Sequence, residues 1–81
     1  MVIIDGPFES KGRMWSHLTA STRKELHEFA NRLYVKQCWY HQGRSKPHYD
    51  IKAELYENAI RLGAIPVSSK ELLIKIKEWY G

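Results

Sequence analysis

Two short polar sequences, each followed by an amphipathic pattern, constrain most strongly what this chain can fold into. Residues 22–25 (TRKE) and residues 68–71 (SSKE) both match the capping box, in which a hydroxyl and a glutamate satisfy backbone N–H groups at a helix start. Apolar residues then recur at helical spacing: Leu26, Phe29, Ala30 and Leu33 after the first box, and Leu72, Leu73, Ile76, Trp79 and Tyr80 after the second. The sequence therefore predicts two helices, each with one face against a core.

The remaining elements predict an alternation of strands and helices. A third helix is expected over about Lys52–Leu62, and Gly63 follows it where a left-handed cap belongs. Three strands are expected, at Val2–Ile4, Val35–Tyr40 and Ile65–Val67, and Pro66 favours an edge position for the last of them. The order β-α-β-α-β-α predicts the α/β class: a single domain over residues 1–81, in two or three layers, with a short parallel sheet. Residues 6–21 and 41–50 are expected to be long loops.

Length and composition exclude several classes of protein. Eighty-one residues suffice for one domain, and no apolar run approaches the ~20 residues that a membrane span needs. The apolar stretch at residues 2–4 is too short for a secretory signal. One cysteine, Cys38, excludes an internal disulfide and a zinc site built on cysteines. We therefore expect a cytoplasmic protein with no membrane association.

The positive charge is concentrated in one window of the chain. The sequence carries 13 basic and 9 acidic residues, a net charge of +4, yet no acid occurs between Glu28 and Asp50. Basic residues are interleaved there with aromatic residues and histidines: Arg32, Tyr34, Lys36, Trp39, Tyr40, His41, Arg44, Lys46 and His48. Such a mixture suits phosphates and stacked bases, but a solvated loop with aromatics folded onto a small core would look the same.

The predicted topology gathers polar residues at one edge. Residues that follow the strands of a parallel sheet meet at its carboxyl edge, where helix N-termini also point. The side chains expected there follow the three strands in turn: Asp5, Lys11, Arg13 and His17; His41, Arg44, His48 and Asp50; Ser68 and Ser69. The sequence predicts a cationic edge that suits a phosphate or another anion.

Histidines and carboxylates in this set are candidates for chemistry. His48 and Asp50 point the same way in extended chain, as a carboxylate-oriented histidine or a shared metal shell requires. Asp5, His17, His48 and Asp50 are the catalytic candidates. A divalent metal held by His17, His27 and His48 with a carboxylate is an open alternative, although the spacing matches no local ligand motif. Asp5 closing a turn and Asp50 capping a helix are the structural alternatives.

Four motifs resemble one family over nearly the whole chain. MWSHL at residues 14–18, ELHEFA at 25–30, PHYDI at 47–51 and RLGAIPV at 61–67 are similar to the domain-of-unknown-function family numbered 4031, small bacterial and phage proteins. The resemblance marks Asp5, Trp15, His17, His27, His48, Tyr49 and Asp50 as candidate positions and implies no activity. Two departures stand out. Tyr34 replaces an expected glycine at the end of the first helix, and Cys38 replaces an expected basic residue.

Three functions remain open on the sequence alone. The leading one is binding of a phosphate-bearing anionic ligand, a nucleotide or nucleic acid, through polar loops. Its candidate contacts are Arg13, His17, His27, Arg44, His48, Tyr49 and Ser69. The second is a small hydrolase with the His/Asp site, with or without a metal ion. The third is a phage-type effector that docks on a protein through Trp39, Tyr40 and Trp79.

Overall fold

The computed structural model describes residues 1–36, 40–43 and 46–81, without the side chains of 41–43 and 46. Within those ranges the strands are β1 (Val2–Ile4), β2 (Phe8–Ser10), β3 (Arg13–Ala20), β4 (Tyr40–Gly43), β5 (Lys46–Lys52) and β6 (Ile65–Pro66). The helices are α1 (Arg23–Arg32), α2 (Tyr56–Arg61), which follows a 3₁₀ turn at Ala53–Leu55, and α3 (Ser69–Tyr80). The α/β class is therefore confirmed.

The sheet is mixed, which corrects the expected parallel sheet. Its strand order is β4-β5-β3-β1-β6, and β2 also pairs with β3. Only β1 and β6 are parallel among the described strands, and β3 runs antiparallel to β1, β2 and β5. The expected parallel pairing is present between β1 and β6, and the rest of the sheet is antiparallel because β3, which had not been predicted, lies between β1 and β5. The edge position expected for the strand that contains Pro66 is confirmed.

Helices cover both faces of the sheet, so the domain has three layers. Val2 and Ile4 of β1 face the larger core under α1 and α2, where Leu18, Leu26 and Tyr49 are also buried. Ile3 points the other way because side chains alternate along a strand. It packs against α3 in a second, smaller core with Leu72 and Ile76. Burial on both faces explains the unbroken apolar run of β1.

Both segments that the sequence analysis assigned to long loops contain strands. Residues 6–21 hold β2 and β3, joined by a tight turn at Lys11 and Gly12, where φ is 52° and 80°. Residues 41–50 belong largely to β4 and β5, apart from 44–45 outside the described ranges. β3 and β5 carry many polar residues because the face of each that bears Trp15, His17, His48 and Asp50 is only partly buried, so no apolar run marks these two strands. The strand expected at residues 35–40 is not seen at Val35 or Lys36; β4 begins at Tyr40, and 37–39 lie outside the description.

The predicted helix starts are confirmed at both capping boxes. The hydroxyls of Thr22 and Ser68 accept the N–H groups of Glu25 and Glu71, each at 3.1 Å. The middle helix is shorter than expected, since Lys52 is still part of β5 and the chain then makes a 3₁₀ turn before α2.

The ends of α1 and α2 use the same motif with different residues. After α2, Gly63 takes a φ of 110°, and the N–H groups of Gly63 and Ala64 bond back into the last turn. After α1, Tyr34 holds the equivalent position with a φ of 61° and is 94% exposed. The departure from glycine at Tyr34 therefore leaves the cap geometry intact and places a tyrosine in a conformation that usually costs roughly 1–2 kcal/mol.

A search of the described residues finds no helix that is both long and apolar enough to cross a membrane.

Candidate functional site

Asp5 and His17 form the best-defined polar pair of the molecule. They lie opposite each other where β1 ends beside β3, and the Asp5 N–H donates to the His17 carbonyl at 3.1 Å. The Asp5 carboxylate accepts two more bonds from the same residue, the backbone N–H of His17 at 2.7 Å and its ring Nδ1 at 2.9 Å. Asp5 is 1% exposed, so this carboxylate is shielded from water and bonds to protein groups, chiefly those of His17.

Gly6 makes the sharp change of direction after Asp5 possible. Its φ is +77°, and a Cβ there would lie 3.1 Å from the Trp15 carbonyl oxygen and from the Phe8 nitrogen. A residue with a side chain would therefore clash with backbone on both sides. The turn separates β1 from β2, so that both pair along the same side of β3.

His48 and Asp50 of β5 join this pair from the other side of β3. The register places Asp50 directly opposite His17, and His48, two residues earlier, shares its face of the sheet. Asp50 Oδ1 lies 3.3 Å from His48 Nε2 and 3.7 Å from His17 Nε2. One potential ligand atom from each of the three residues falls within 4.8 Å of the others. We call Asp5, His17, His48 and Asp50 the His/Asp cluster.

The helix α3 and an aromatic ring enclose the cluster. A cavity of about 90 Å³ is bordered by cluster residues, by Ser69 and by apolar side chains of α3: Asp5, His17, His48, Ser69, Leu72, Leu73 and Ile76. Phe8 stacks on the His17 ring, with centroids 4.5 Å apart. The His17 and Asp50 side chains remain about one third exposed, at 33% and 32%. The cluster is therefore reachable from solvent while its buried side is fixed by packing.

The pKa values of Asp5 and His17 move in opposite directions. Burial alone would raise the pKa of Asp5, but hydrogen bonds from the side chain and backbone of His17 and from the Ser69 side chain bring the pKa below its ordinary value. The hydrogen bond to Asp5 raises the pKa of His17, against the effect of burial, with help from the charges of Asp5 and Asp50.

These contacts determine which ring nitrogen of His17 can do chemistry. An ionised carboxylate only accepts hydrogen bonds, so Nδ1 carries the proton that it shares with Asp5. In the neutral ring Nε2 then bears the lone pair, on the side where Asp50 and His48 lie. Such an arrangement can take up a proton or ligate a metal ion at Nε2.

The next rungs of the same face carry aromatic and cationic residues. Counting only the residue pairs that share this face as rungs, Trp15 and Lys52 form the rung next to His17–Asp50, two residues away along each strand. Arg13 lies two residues further along β3 and pairs with Ser10. Trp15 is half-buried, while Arg13 and Lys52 are exposed. Alternation along β3 and β5 puts all of these on the side that bears the cluster. We call the surface of Arg13, Trp15, His17, His48, Asp50 and Lys52 the β3–β5 face.

The structure brings together five of the predicted site residues: Asp5, His17, His48, Asp50 and Ser69. Arg13 lies on the same face, two rungs away, and Arg44 lies outside the described residues. His27 and Tyr49 are on the opposite face, where Nδ1 of His27 and the Tyr49 hydroxyl are 2.7 Å apart. A metal set that combines His27 with His17 and His48 is therefore ruled out by the sheet between them.

The five predicted residues that do come together converge for two different reasons. The argument from parallel strands applies to the β1–β6 pair, which places Asp5 at the end of one strand and Ser69 at the start of the helix after the other. His17, His48 and Asp50 arrive instead from the middle of antiparallel strands, which the sequence analysis had treated as loops. Asp50 caps no helix, since α2 has no side-chain cap and begins six residues later.

Two residues that contribute to the candidate site, Lys52 and Phe8, were not identified from the sequence. Lys52 had been assigned to a helix, and Phe8 had been given no role. The signal for Lys52 was the same alternation that paired His48 with Asp50, extended by one more step. No local signal indicates Phe8, because its contact with His17 depends on the turn at Gly6.

The remaining aromatic candidates in the described part of the chain lie away from the β3–β5 face. Tyr40 packs against the rings of His27 and Tyr49, at 4.6 and 5.2 Å between centroids. Burial raises the pKa of Tyr49 above its ordinary value, with a contribution from Tyr40. Trp79 is half-buried against the smaller core, and Trp39 lies outside the described residues. Tyr40 and Trp79 therefore both contribute to packing, each with its side chain partly buried.

Comparison with known protein families matches residues 2–78 to the family described as "Protein of unknown function (DUF4031)". The chain belongs to the DUF4031 family. The match spans every strand and helix described above except the last residues of α3, so the whole His/Asp cluster and the β3–β5 face lie within the DUF4031 region. No curated protein and no solved structure matches the chain.

Proposed function

We propose that this protein binds a phosphate-bearing ligand, a nucleotide or a nucleic-acid strand, on the β3–β5 face. The observation that carries the proposal is that Arg13 and the Trp15–Lys52 pair lie on the same face as the His17–Asp50 pair, at two-residue steps along β3. Cations neutralise phosphates, and the ring of a tryptophan between them offers a face on which a base can stack. An antiparallel sheet holds these groups at fixed spacing.

Charge on this face supports an anionic ligand despite the two aspartates. Asp5 is buried and bonded to His17, and Asp50 lies within ion-pair distance of both His17 and His48. The carboxylates are thus close to histidines, and the side chains of Arg13 and Lys52 add two exposed positive charges to the same face. The net charge of +4 favours the same class of ligand.

Binding can be measured by fluorescence anisotropy with a labelled single-stranded oligonucleotide and by calorimetry with a nucleoside diphosphate. We expect the double variant Arg13→Gln/Lys52→Gln to weaken binding about tenfold or more. The slope of the logarithm of the binding constant against the logarithm of the salt concentration should become shallower by about one for each lost phosphate contact. The matched control is Lys24→Gln/Arg61→Gln, which removes one lysine and one arginine from exposed positions on α1 and α2. Equal losses in both double variants, or no binding by the unmodified protein, would overturn the proposal.

Hydrolysis of the bound ligand is the second candidate, and the His/Asp cluster favours it. In the reaction, water adds to phosphorus and one P–O ester bond breaks. One proton of the water goes to the departing alcohol oxygen, and the hydroxyl stays on the phosphate. Three residues of the cluster, His17, His48 and Asp50, belong to the β3–β5 face. Nε2 of His17 is on the side of the partly exposed Asp50 carboxylate.

A model phosphodiester, bis(p-nitrophenyl) phosphate, tests this candidate by release of the coloured phenol. We expect turnover that His48→Ala abolishes and His27→Gln retains, since His27 lies on the opposite face. Absence of turnover with this ester and with the oligonucleotide would leave ligand binding alone as the function. Turnover that is unchanged in His48→Ala would contradict a role for the cluster.

A further inference from the structure

The His/Asp cluster has the spacing of a metal centre. Ligand atoms that surround a metal ion tetrahedrally at about 2.1 Å lie roughly 3.4 Å from each other. The distances from Asp50 Oδ1 to His48 Nε2 and to His17 Nε2 are 3.3 and 3.7 Å, on either side of that value. The cluster requires only small side-chain movements to close on an ion.

We propose that His17, His48 and Asp50 bind one divalent transition-metal ion, and that Asp5 positions His17 for it. A role for this ion in catalysis rests on the hydrolysis proposed above. Two imidazole nitrogens with one carboxylate oxygen suit zinc, manganese, iron or cobalt better than magnesium or calcium, which prefer oxygen ligands alone.

The contact of Asp5 with His17 is the second observation that points to a metal. Histidines that ligate metals donate their other ring N–H to a carboxylate or carbonyl, which fixes the tautomer and the orientation of the ring. Asp5 accepts from Nδ1 at 2.9 Å and from the backbone of the same residue at 2.7 Å. The free lone pair of Nε2 is thereby aimed at Asp50 and His48.

The backbone gives the three ligands a rigid support. His17 and Asp50 are directly paired on neighbouring strands, and His48 is two residues along β5 from Asp50. Sites on strands hold their geometry more exactly than sites on loops. The ligand side chains are 22–33% exposed, so an ion can enter and three protein ligands leave a position for water or substrate.

The metal inference predicts direct binding that needs no substrate. Protein freed of metal by a chelator is titrated with Zn²⁺, and binding is measured by calorimetry. A second titration with Co²⁺ is followed by visible absorption, which reports the coordination number of the ion and its ligation by nitrogen. We expect one ion per chain. Affinity should fall about 10–100-fold in Asp5→Asn and further in His48→Ala and Asp50→Asn. His27→Gln is the matched control, because it alters a half-buried histidine on the other face, and its affinity should equal that of the unmodified protein.

Several results would overturn the inference. These are the absence of stoichiometric binding of Zn²⁺, Co²⁺ and Mn²⁺ to the folded protein, binding that persists in both His48→Ala and Asp50→Asn, or equal loss in His27→Gln. Circular dichroism of each variant confirms that it is folded before it is titrated. Metal binding without any oligonucleotide or nucleotide binding would support the metal site and refute the ligand proposal. Ligand binding that depends on Arg13 and Lys52 but is accompanied by no metal would do the reverse.

Discussion

The two faces of the sheet differ in the side chains that they carry: one bears the larger apolar core, and the other bears the smaller core and the His/Asp cluster. On the face covered by α1 and α2, apolar side chains fill the larger core, and the Tyr49 hydroxyl is paired with His27. On the face covered by α3, the core is small, and the partly exposed His/Asp cluster lies beside it. Adjacent residues of one strand, such as His48 and Tyr49, thus belong to opposite environments. The comparison teaches that the larger apolar core and the candidate functional site are separated across the thickness of a single sheet.

Truncation of the adjacent residues His48 and Tyr49 tests this separation with the largest expected effect. Tyr49 is fully buried, so Tyr49→Ala should cost about 3–5 kcal/mol of unfolding free energy, as other aromatic truncations in cores do. His48→Ala should cost less than about 1 kcal/mol, since its side chain is partly exposed. Urea unfolding followed by circular dichroism measures both. Similar losses for the two variants would show that the faces share the stabilising role.

A second pair of variants examines the polar face alone. Asp5→Asn replaces an acceptor-only group by an amide whose NH₂ must face either the backbone N–H or the ring nitrogen of His17. We expect a loss of about 1–3 kcal/mol in unfolding free energy from the unsatisfied buried group. Asp50→Asn, whose side chain is 32% exposed, should change it by less than about 0.5 kcal/mol. Equal effects in urea unfolding would mean that the burial of Asp5 has no energetic consequence.

The smallest expected effect concerns the attachment of α3 to the sheet. The Tyr80 hydroxyl donates to the carbonyl of Ala20 at the end of β3, so Tyr80→Phe should cost about 1 kcal/mol at pH 7. Burial raises the pKa of Tyr80 above its ordinary value of 10.0. A raised folded pKa means that this contribution is complete below the unfolded pKa and disappears as the pH rises through the folded pKa.

The difference in unfolding free energy between the unmodified protein and Tyr80→Phe, measured at increasing alkaline pH, isolates this hydroxyl from the other tyrosines. The difference should be constant from pH 7 to about pH 10 and then decline. A difference that grows with pH would contradict the sign of the shift, and a difference of zero at pH 7 would show that the hydrogen bond contributes nothing to the attachment of α3.

The sequence allowed prediction of those elements whose signals are local. The caps at Thr22 and Ser68 depend on residues three positions apart, and β1 was visible as an apolar run covered on both sides. The strands β3 and β5 were not predicted, because their stability depends on pairing between residues more than thirty positions apart and on helices that cover only part of each face. The mixed sheet follows from those two strands.

The candidate site shows the same division. His48 and Asp50 could be placed on one side of the chain from alternation alone, and Asp5 was expected where β1 ends. The approach of His17 to Asp50 required the register between β3 and β5, which no local pattern specifies. His27 illustrates the converse error. A histidine on a predicted helix was a plausible ligand by composition, and only the sheet between α1 and α3 places it with Tyr49 instead.

The contact between Asp5 and the backbone of His17 bears on how such a site could be transplanted. In a regular antiparallel ladder the N–H of His17 would donate to a main-chain carbonyl of the neighbouring strand. Here a carboxylate oxygen takes the place of that carbonyl, and the turn at Gly6 moves the main chain aside. A designer who grafts the two histidines and Asp50 onto another sheet would therefore leave behind the group that orients His17. The transferable unit is a broken strand, with its aspartate and glycine, beside an intact one.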